Sequence, residues 1–144
     1  MNADQSEKLM DDVFAIVQRI EHCSRSQAES IVLGCVHRYS CRLNYVCEPD
    51  TDDVVSFAMW NEHPETCVIR MIATKPGYRS CGFASGLLDD LKQDMAGKLL
   101  MYRDLDTPKS VDGFLLLHGF GLIAESGDGW RSYVRDAEFV GVSS

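Results

Sequence analysis

The stretch from Cys67 to Gly97 constrains the fold more than any other part of the chain, because its periodicity changes within a few residues. The run Cys67–Ala73 is rich in β-branched and apolar residues and stops before Pro76-Gly77, which is typical of a strand followed by a turn. Beyond Gly82 the apolar residues recur at helical spacing, and they are Ala84, Leu87, Leu88, Leu91 and Met95. The pattern predicts a strand, a short loop and an amphipathic helix that ends near Gly97, as in α/β proteins.

The loop between this strand and this helix has residues suited to binding phosphate. Gly82 lets the backbone come close to a ligand, and the N–H groups that begin a helix have no partners inside it. These groups and the helix dipole attract anions, and Arg79 adds a fixed positive charge with several donors. A loop of this kind can also be a plain connection, so the loop alone does not decide between the two.

Two helices are predicted before the first strand. From about Ser6 to His22 the apolar residues keep helical spacing. The second helix follows Ser24-Arg25-Ser26, where Ser26 and Glu29 have the spacing of a capping box.

The remaining segments read mostly as strands. Val54–Trp60 and Cys67–Ala73 flank a turn and are predicted to form an antiparallel hairpin. Thr107-Pro108 predicts the start of a further helix that runs towards Phe120. The other predicted strands are Leu43–Glu48, Lys98–Leu105, Gly121–Glu125 and Trp130–Arg135.

Charge and length narrow the function classes. The chain has 144 residues, with 22 Asp and Glu against 14 Lys and Arg, for a net charge of −8. Such a chain is poorly suited to nucleic acids, and no apolar stretch approaches membrane-spanning length, so neither is expected as a partner. We expect a single domain over 1–144, in which 1–42 forms the helical pair and 43–136 forms the sheet core.

The cysteines are read as free thiols in a cytoplasmic protein, because they are scattered rather than arranged as a disulfide framework and the N-terminus is polar. The six are Cys23, Cys35, Cys41, Cys47, Cys67 and Cys81. A zinc site from Cys35, His37, Cys41 and Cys47 can be imagined, but no C-x-x-C pair is present, and no metal is expected.

Two motifs together resemble the GNAT superfamily of N-acetyltransferases. The family's V-x-P-x-x-R-x-x-G-x-G/A motif, which leads from a strand into a Leu-rich helix, corresponds here to Thr74–Ala84. The segment Phe114–Phe120 resembles the family's later helix that ends in Gly-Phe before a two-stranded hairpin. The order of predicted elements also matches. The resemblance implies a mixed α/β fold with a mostly antiparallel, twisted sheet whose middle strands splay apart, flanked by helices.

The resemblance also implies an activity and a cofactor site. The chain would transfer an acetyl group from acetyl-CoA, as co-substrate, to a primary amine of a small molecule or a protein. The CoA pyrophosphate would rest on backbone N–H groups of the loop and helix start, and the pantetheine arm would pair with the preceding strand edge. The residues implied are Ile72, Ala73, Thr74, Arg79, Ser80, Cys81, Gly82, Phe83, Ala84 and Ser85.

The chain departs from the family at positions that many members use for catalysis. Leu115 stands where a Tyr usually protonates the departing thiolate, Val68 where some members carry a catalytic Glu, and Thr107–Ser110 where an Asn is common. Three readings stay open: an enzyme that relies on water and substitute groups, an enzyme with another acid such as Tyr102, or a catalytically degenerate module that binds CoA or a protein partner.

The substitute groups are few. Glu65 borders the expected acceptor cleft, and Tyr102 lies on the next strand. Arg70 shares a face with Val68 and Ile72 if its strand is regular. His118 lies at a helix C-terminus, which favours an imidazolium. Exposed apolar residues near Phe139-Val140 would permit a homodimer.

Overall fold

The structure is a computed structural model that describes residues 2–79, 81–105 and 109–135. Its element order confirms the predicted mixed α/β fold. The helices are α1 (Ala3–Glu21), α2 (Arg25–Tyr39), α3 (Phe83–Asp94) and α4 (Lys109–Leu117), and the strands are β1 (Arg42–Cys47), β2 (Val54–Glu62), β3 (Thr66–Thr74), β4 (Leu99–Leu105), β5 (Phe120–Glu125) and β6 (Trp130–Arg135). The predicted helix start at Thr107-Pro108 and the apolar pair Phe139-Val140 lie outside the described residues.

The six strands form one sheet in the order β1-β2-β3-β4-β6-β5. All neighbours are antiparallel except β3 and β4, which run parallel. These two pair only from Thr66 with Leu99 to Ile69 with Tyr102, although β3 continues to Thr74 and β4 to Leu105. The two middle strands therefore part after Ile69 and Tyr102, which confirms the splayed sheet.

A β-bulge lies where the two strands part. Met59 of β2 pairs with Met71, and Trp60 pairs with Ile69, so Arg70 is the extra residue of β3. Because the bulge breaks the alternation, Ile69 and Ile72 both belong to one core cluster, while Met71 packs in the other. The expectation that Arg70 shares a face with Ile72 was therefore wrong: its side chain lies towards α2, against Tyr39.

Each face of the sheet carries its own apolar core. Helices α3 and α4 cover one face, where Leu88, Leu91 and Leu115 pack against Trp60, Ile69 and Tyr102. Helices α1 and α2 cover the other face over β2 and β3. That second core includes Val13, Val17, Val32, Phe57 and Met59. The two helix pairs thus leave the splay between them, open at the carboxyl ends of β3 and β4.

Helix α2 begins two residues earlier than the predicted cap implies. Ser24 is the N-cap, and it forms a capping box with Gln27: the Ser24 Oγ accepts from Gln27 N at 3.1 Å, and the Gln27 side chain accepts from Ser24 N at 2.9 Å. The prediction of Ser26 and Glu29 was wrong, because Glu29 instead accepts from Arg25 Nε at 3.0 Å. The sequence offers two overlapping capping boxes of equal spacing, and the one that forms is the earlier of the two, next to the turn between α1 and α2.

Polar contacts attach α1 to the sheet. Asp12 accepts from the backbone N of Val54, the first residue of β2, at 3.1 Å. Lys8 lies 2.8 Å from carboxylate oxygens of both Asp12 and Asp53, so one cation joins the helix to the turn before β2. No helix in the described ranges is both long and apolar enough to cross a membrane.

Candidate functional site

The loop after β3 is fixed by hydrogen bonds on both sides. Lys75 N donates to Val55 O at 2.7 Å, which holds the end of β3 against β2. Tyr78 N then donates to Lys75 O at 3.0 Å and closes a turn through Gly77, whose φ is +96°. A positive φ of this size favours glycine, so the predicted turn at Pro76-Gly77 is confirmed.

Tyr78 ties the same loop to the turn after β1. Its hydroxyl donates to the Glu48 carboxylate at 2.8 Å, and its ring centroid lies 6.4 Å from that of Phe83. The hydrogen bond to Glu48 is the main cause that raises the pKa of Tyr78, and burial adds to it. The loop is therefore held at its middle as well as at its start.

The start of α3 presents backbone N–H groups to the loop. Gly82 is the N-cap with φ +83° and supplies no side-chain cap. The first helical bond runs from Gly86 N to Gly82 O at 2.9 Å, so the N–H groups of Phe83, Ala84 and Ser85 have no partner within the helix. The first turn carries no acidic residue. This end of α3 is suited to an anion, and the dipole of the helix adds to the attraction.

The structure brings together the predicted loop residues that it describes. Arg79 and Cys81 are exposed on the loop, while Phe83, Ala84 and Ser85 form the first turn of α3. Ser80 lies outside the described residues.

The predicted strand edge follows directly from the splay. Beyond Ile69, β3 has no pairing with β4, so the segment Ile72–Thr74 borders the open space on that side. Ser56 of β2 steadies this end: its buried hydroxyl donates to Ala73 O at 2.9 Å and lies 3.0 Å from Thr74 Oγ1. An extended ligand can pair with such an edge as an added strand.

A side-chain contact joins the first turn of α3, next to the loop, to the residue that follows α4. Ser85 Oγ lies 3.0 Å from His118 Nε2, and the His118 ring centroid lies 4.6 Å from that of Phe114. Burial, and then the charge of Lys92, lower the pKa of His118. His118 directly follows the last residue of α4, as expected for a residue at the end of this helix.

Two buried tyrosines on neighbouring strands each donate to a carboxylate. Tyr102, of which 1% is exposed, donates to Asp104 Oδ2 at 3.2 Å. Tyr133 donates to Asp112 Oδ1 at 2.6 Å, and the two rings meet edge to face at 6.1 Å. Burial and the Asp104 carboxylate raise the pKa of Tyr102 well above its ordinary value. Tyr102 is therefore protonated at neutral pH and can donate a hydrogen bond, and the raised pKa makes it a weaker acid than an ordinary tyrosine.

On the other side of the splay lies Arg70. Its guanidinium carbon is 3.7 Å from the centroid of the Tyr39 ring, and its Nε donates to Asn61 Oδ1 at 3.2 Å. Asn61 is itself buried and continues the chain of contacts through Nδ2 to His63 Nε2 at 2.8 Å. Arg70 is thus held by an aromatic face and by one hydrogen bond.

The three positions tied to catalysis have different surroundings. Glu65 is exposed in the turn before β3, at the paired end of β3 and therefore at the far end from Thr74. Leu115 is 1% exposed within the apolar core, and Val68 is 6% exposed. Neither of these two offers an ionisable group to the splay.

Sequence reasoning missed Asp104, Asn61 and Ser56. Asp104 could have been found, because it stands two residues after Tyr102 and so shares its face of β4. Asn61 and Ser56 gave no signal, since their importance rests on contacts with β3.

Metal and disulfide chemistry find no support in the described part of the chain. It holds no group of three or more His, Cys, Asp or Glu side chains that could bind a metal ion. All six cysteines are free thiols.

The geometry joins a glycine-capped helix start to an unpaired strand edge inside a splayed sheet. Residues 10–114, which make up most of the chain, match the Acetyltransferase (GNAT) family. The chain belongs to the GNAT family of acetyltransferases. The loop and the helix start that the sequence motif predicted lie within the matched residues. No curated protein matches the sequence.

Solved structures show the same GNAT fold. An acetyltransferase from Thermus thermophilus is 13% identical, with 88% of each chain covered and a TM-score of 0.70. A GNAT-family acetyltransferase from Staphylococcus aureus is 16% identical, with 94% of each chain covered and a TM-score of 0.68. The PaiA N-acetyltransferase of Thermoplasma acidophilum, solved in complex with coenzyme A, is 11% identical, covers 92% of this chain and 94% of its own, and has a TM-score of 0.67.

Proposed function

We propose that the protein is an N-acetyltransferase that transfers an acetyl group from acetyl-CoA to a primary amine. The observation that carries the proposal is the α3 start, where Gly82 leaves three N–H groups unpaired within the helix beside the open edge of β3. A related fold has been solved with coenzyme A, which supports the choice of donor.

Two elements would bind different parts of the acetyl-CoA donor. The N–H groups of Phe83, Ala84 and Ser85 would hold the pyrophosphate, and Arg79 would add charge-assisted hydrogen bonds to its oxygens. The pantetheine arm would pair with the Ile72–Thr74 edge, which the splay leaves without a β4 partner. This arrangement directs the thioester towards the point where β3 and β4 part.

The reaction is a direct displacement. The nitrogen of a neutral amine attacks the thioester carbonyl carbon, a C–N bond forms, and the C–S bond breaks, so that the acetyl group ends on nitrogen and CoA leaves as the thiolate. The nitrogen loses one proton, and the thiolate takes one up to give the free thiol of CoA. Each step therefore balances without an oxidant, a reductant or a metal.

Proton transfer falls to the groups at the splay. Asp104 is an acceptor beside Tyr102, and Tyr102 holds it through the 3.2 Å hydrogen bond, so we propose this pair for the proton of the amine. Tyr102 is then a candidate donor to the thiolate. Glu65 lies at the opposite end of β3, and a role for it would require transfer through water.

A second candidate function is a CoA-binding or protein-binding module without turnover. It is favoured by Leu115 and Val68, which place buried apolar side chains where many relatives carry catalytic groups. Release of CoA thiol that depends on an amine, above the rate of thioester hydrolysis, would exclude this module.

The compartment and the acceptor's size class are part of the proposal. Six free cysteines fit a reducing cytoplasm. The acceptor is a small molecule or a protein, and a homodimer is compatible with either.

Calorimetric titration with acetyl-CoA, CoA and desulfo-CoA tests the donor site. We expect micromolar binding, weakened about tenfold or more in Arg79→Ala because charge-assisted contacts to phosphate are lost. Arg19→Ala, which removes an exposed arginine from α1, is the matched control and should bind normally. No binding at millimolar acetyl-CoA would contradict the proposal.

A further inference from the structure

We propose that Arg70 is a positioning residue for acetyl transfer: its side chain, held by Tyr39 and Asn61, fixes the bulge of β3 where the thioester carbonyl of acetyl-CoA is to be polarised. This inference rests on the proposed function, because it takes the splay between β3 and β4 as the place of the thioester. Arg70 would act through the backbone of β3, and its side chain would not bind the donor.

The bulge lies at the point where β3 loses its partner β4. Arg70 is the first residue of β3 after the last pair with β4, which joins Ile69 to Tyr102, and it has no direct partner in β2. Such an extra residue is left unpaired and disrupts the ladder locally. Contacts outside the ladder must therefore fix the backbone at this point.

The side chain of Arg70 supplies such contacts to two other elements. Its guanidinium carbon lies 3.7 Å from the ring centroid of Tyr39, the last residue of α2. Its Nε donates to Oδ1 of Asn61, near the end of β2, at 3.2 Å. Because a guanidinium is planar and rigid, a ring against its face and an acceptor at its edge together determine its orientation. We call Arg70, Tyr39 and Asn61 the Arg70 network.

Asn61 is a fixed acceptor for Arg70. It is 6% exposed, and its Nδ2 lies 2.8 Å from Nε2 of His63. Because the N–H of Arg70 must donate to an oxygen, the Asn61 amide has one orientation, with Nδ2 towards His63. The backbone N of His63 donates to Thr66 O at 2.8 Å and closes the turn between β2 and β3. The bulge is thereby connected to the turn at the paired end of β3.

The same turn also fixes the start of β4. Lys98, the residue before β4, donates from Nζ to His63 O at 2.8 Å and to Glu62 Oε2 at 2.5 Å. Leu99 N donates to Glu65 O at 3.0 Å. Both strands of the splay are thus attached to one turn, and the Arg70 network connects this turn to the place where the strands part.

The chemistry of acyl transfer depends on the direction of this backbone. Attack on a thioester builds negative charge on the carbonyl oxygen, and donors stabilise it only from a fixed position. A misplacement of about 1 Å can lower the rate about 100-fold. The pantetheine arm proposed along Ile72–Thr74 brings the carbonyl towards the bulge. A bulge that shifts would lower turnover and leave donor affinity nearly unchanged, because the proposed pyrophosphate contacts lie at the start of α3.

The first test observes the carbonyl of bound acetyl-CoA and needs no acceptor. Acetyl-CoA labelled with carbon-13 at the acetyl carbonyl saturates the protein, and its NMR shift is compared with that of the free ligand. We expect a shift to lower field in the wild type, because polarisation withdraws electron density from the carbonyl carbon. Arg70→Met has a side chain of similar length without donors or charge. It should return the shift towards the free value, with the Kd for acetyl-CoA within about threefold of the wild type, because the α3 start is unchanged.

The second test measures turnover with hydroxylamine as the probe acceptor, because it is a small amine that is neutral at pH 7.5. Release of CoA is followed by chromatography, since the protein has six thiols of its own. Arg70→Met should lower kcat by about 10- to 100-fold with the KM for acetyl-CoA unchanged. Arg70→Lys should lose less, because a lysine keeps the charge over the Tyr39 ring but lacks the rigid fork that also reaches Asn61.

Variants of the partners assign the effect to the Arg70 network. Tyr39→Phe retains the ring and should keep the carbonyl shift, whereas Tyr39→Leu should lose part of it. Asn61→Ala should lower kcat, and its combination with Arg70→Met should add little, because both changes remove the same contact. Arg42→Met is the matched control: Arg42 also lies over an aromatic ring, that of Trp60 at 5.5 Å, but is exposed on β1. It should keep the full carbonyl shift and kcat.

Two results in the variants would overturn the inference. One is a carbonyl shift and a kcat in Arg70→Met that equal those of the wild type. The other is loss of acetyl-CoA binding in both Arg70→Met and Tyr39→Leu, which would assign Arg70 to the fold alone. If Arg70→Met does not fold, Arg70→Lys and Tyr39→Leu decide by the same measurements.

Failure of the proposed function gives a different result. Wild-type protein that binds no acetyl-CoA contradicts the proposed function, and the inference fails with it. Wild-type protein that binds acetyl-CoA but leaves its carbonyl shift at the free value contradicts the inference alone.

Discussion

Ser85 Oγ and His118 Nε2 lie 3.0 Å apart and join the first turn of α3 to the residue that follows α4. The contact links two helices that pack on the same face of the sheet. It also brings a titratable ring next to the N–H groups proposed to hold pyrophosphate. Acidity should therefore affect the stability of the fold and the donor site together.

The first prediction concerns this histidine. The folded state lowers the pKa of His118, so below the unfolded value near 6.5 the unfolded chain binds more protons than the folded one. His118 should thus favour folding at pH 7.5, and its contribution should be lost as the pH falls through the unfolded value towards 5.5. Urea unfolding at several pH values measures this slope. His118→Gln should reduce the slope, and equal slopes in wild type and His118→Gln would show the prediction to be wrong.

The second prediction concerns Gly82, whose backbone conformation disfavours any residue with a side chain. Gly82→Val should lower the free energy of unfolding by about 1–2 kcal/mol, because φ is +83° and a side chain disfavours that region. It should also weaken acetyl-CoA binding, since the N–H groups of α3 are re-oriented. Gly34→Ala, in an ordinary conformation with open space around a new Cβ, should stabilise the protein by about 1 kcal/mol. Chemical denaturation and calorimetry give both values, and normal acetyl-CoA affinity in Gly82→Val would argue against the site.

The third prediction compares the loss of the hydroxyl of Tyr102 with the loss of that of Tyr133. Tyr102→Phe and Tyr133→Phe each remove a hydroxyl that donates to a carboxylate, so each should lower the free energy of unfolding by about 1 kcal/mol. Only Tyr102→Phe should lower kcat, by about 10- to 100-fold, with the KM for acetyl-CoA unchanged. Steady-state kinetics decide between them. Equal effects of the two variants on kcat would assign Tyr102 a structural role alone.

The fourth prediction concerns the start of α2. Ser24→Ala should lower the free energy of unfolding by about 1 kcal/mol, because the Ser24 hydroxyl satisfies a free N–H at the helix start. Ser26→Ala should have almost no effect, since Ser26 lies inside the helix and is exposed. Thermal and denaturant unfolding of the pair would show whether the sequence uses the earlier of its two overlapping caps.

Local periodicity predicted most elements of the fold correctly. The change from alternating to helical spacing between Cys67 and Met95 involves neighbours in sequence, so the strand, the loop and α3 could be predicted from it. The cap of α2 could not, because Ser24 and Ser26 both satisfy the same local rule. The choice depends on where α1 ends, at His22 in the left-handed conformation.

Only part of the candidate site could be predicted, because some of its residues are far apart in the sequence. The loop that we propose for the donor is contiguous in the sequence, so its residues could be named from the motif. Ser85 and His118 are 33 residues apart in the sequence, so no local pattern could indicate that their side chains lie in contact. Glu65 and Tyr102 stay predictions as catalytic groups, as does the single domain over 1–144.

The bulge at Arg70 shifts the alternation of side chains along β3 by one residue. Before it, Cys67 and Ile69 face α3, and after it Ile72 does, so the inward positions are three residues apart instead of two. Substitutions chosen as if β3 were regular would therefore place a side chain on the wrong face of the sheet on one side of the bulge. Deleting Arg70 would repair the alternation and leave Met71 and Ile72 on the faces that they already occupy. The extra residue therefore lengthens β3 by one position relative to β2 without changing which side chains its last residues bury.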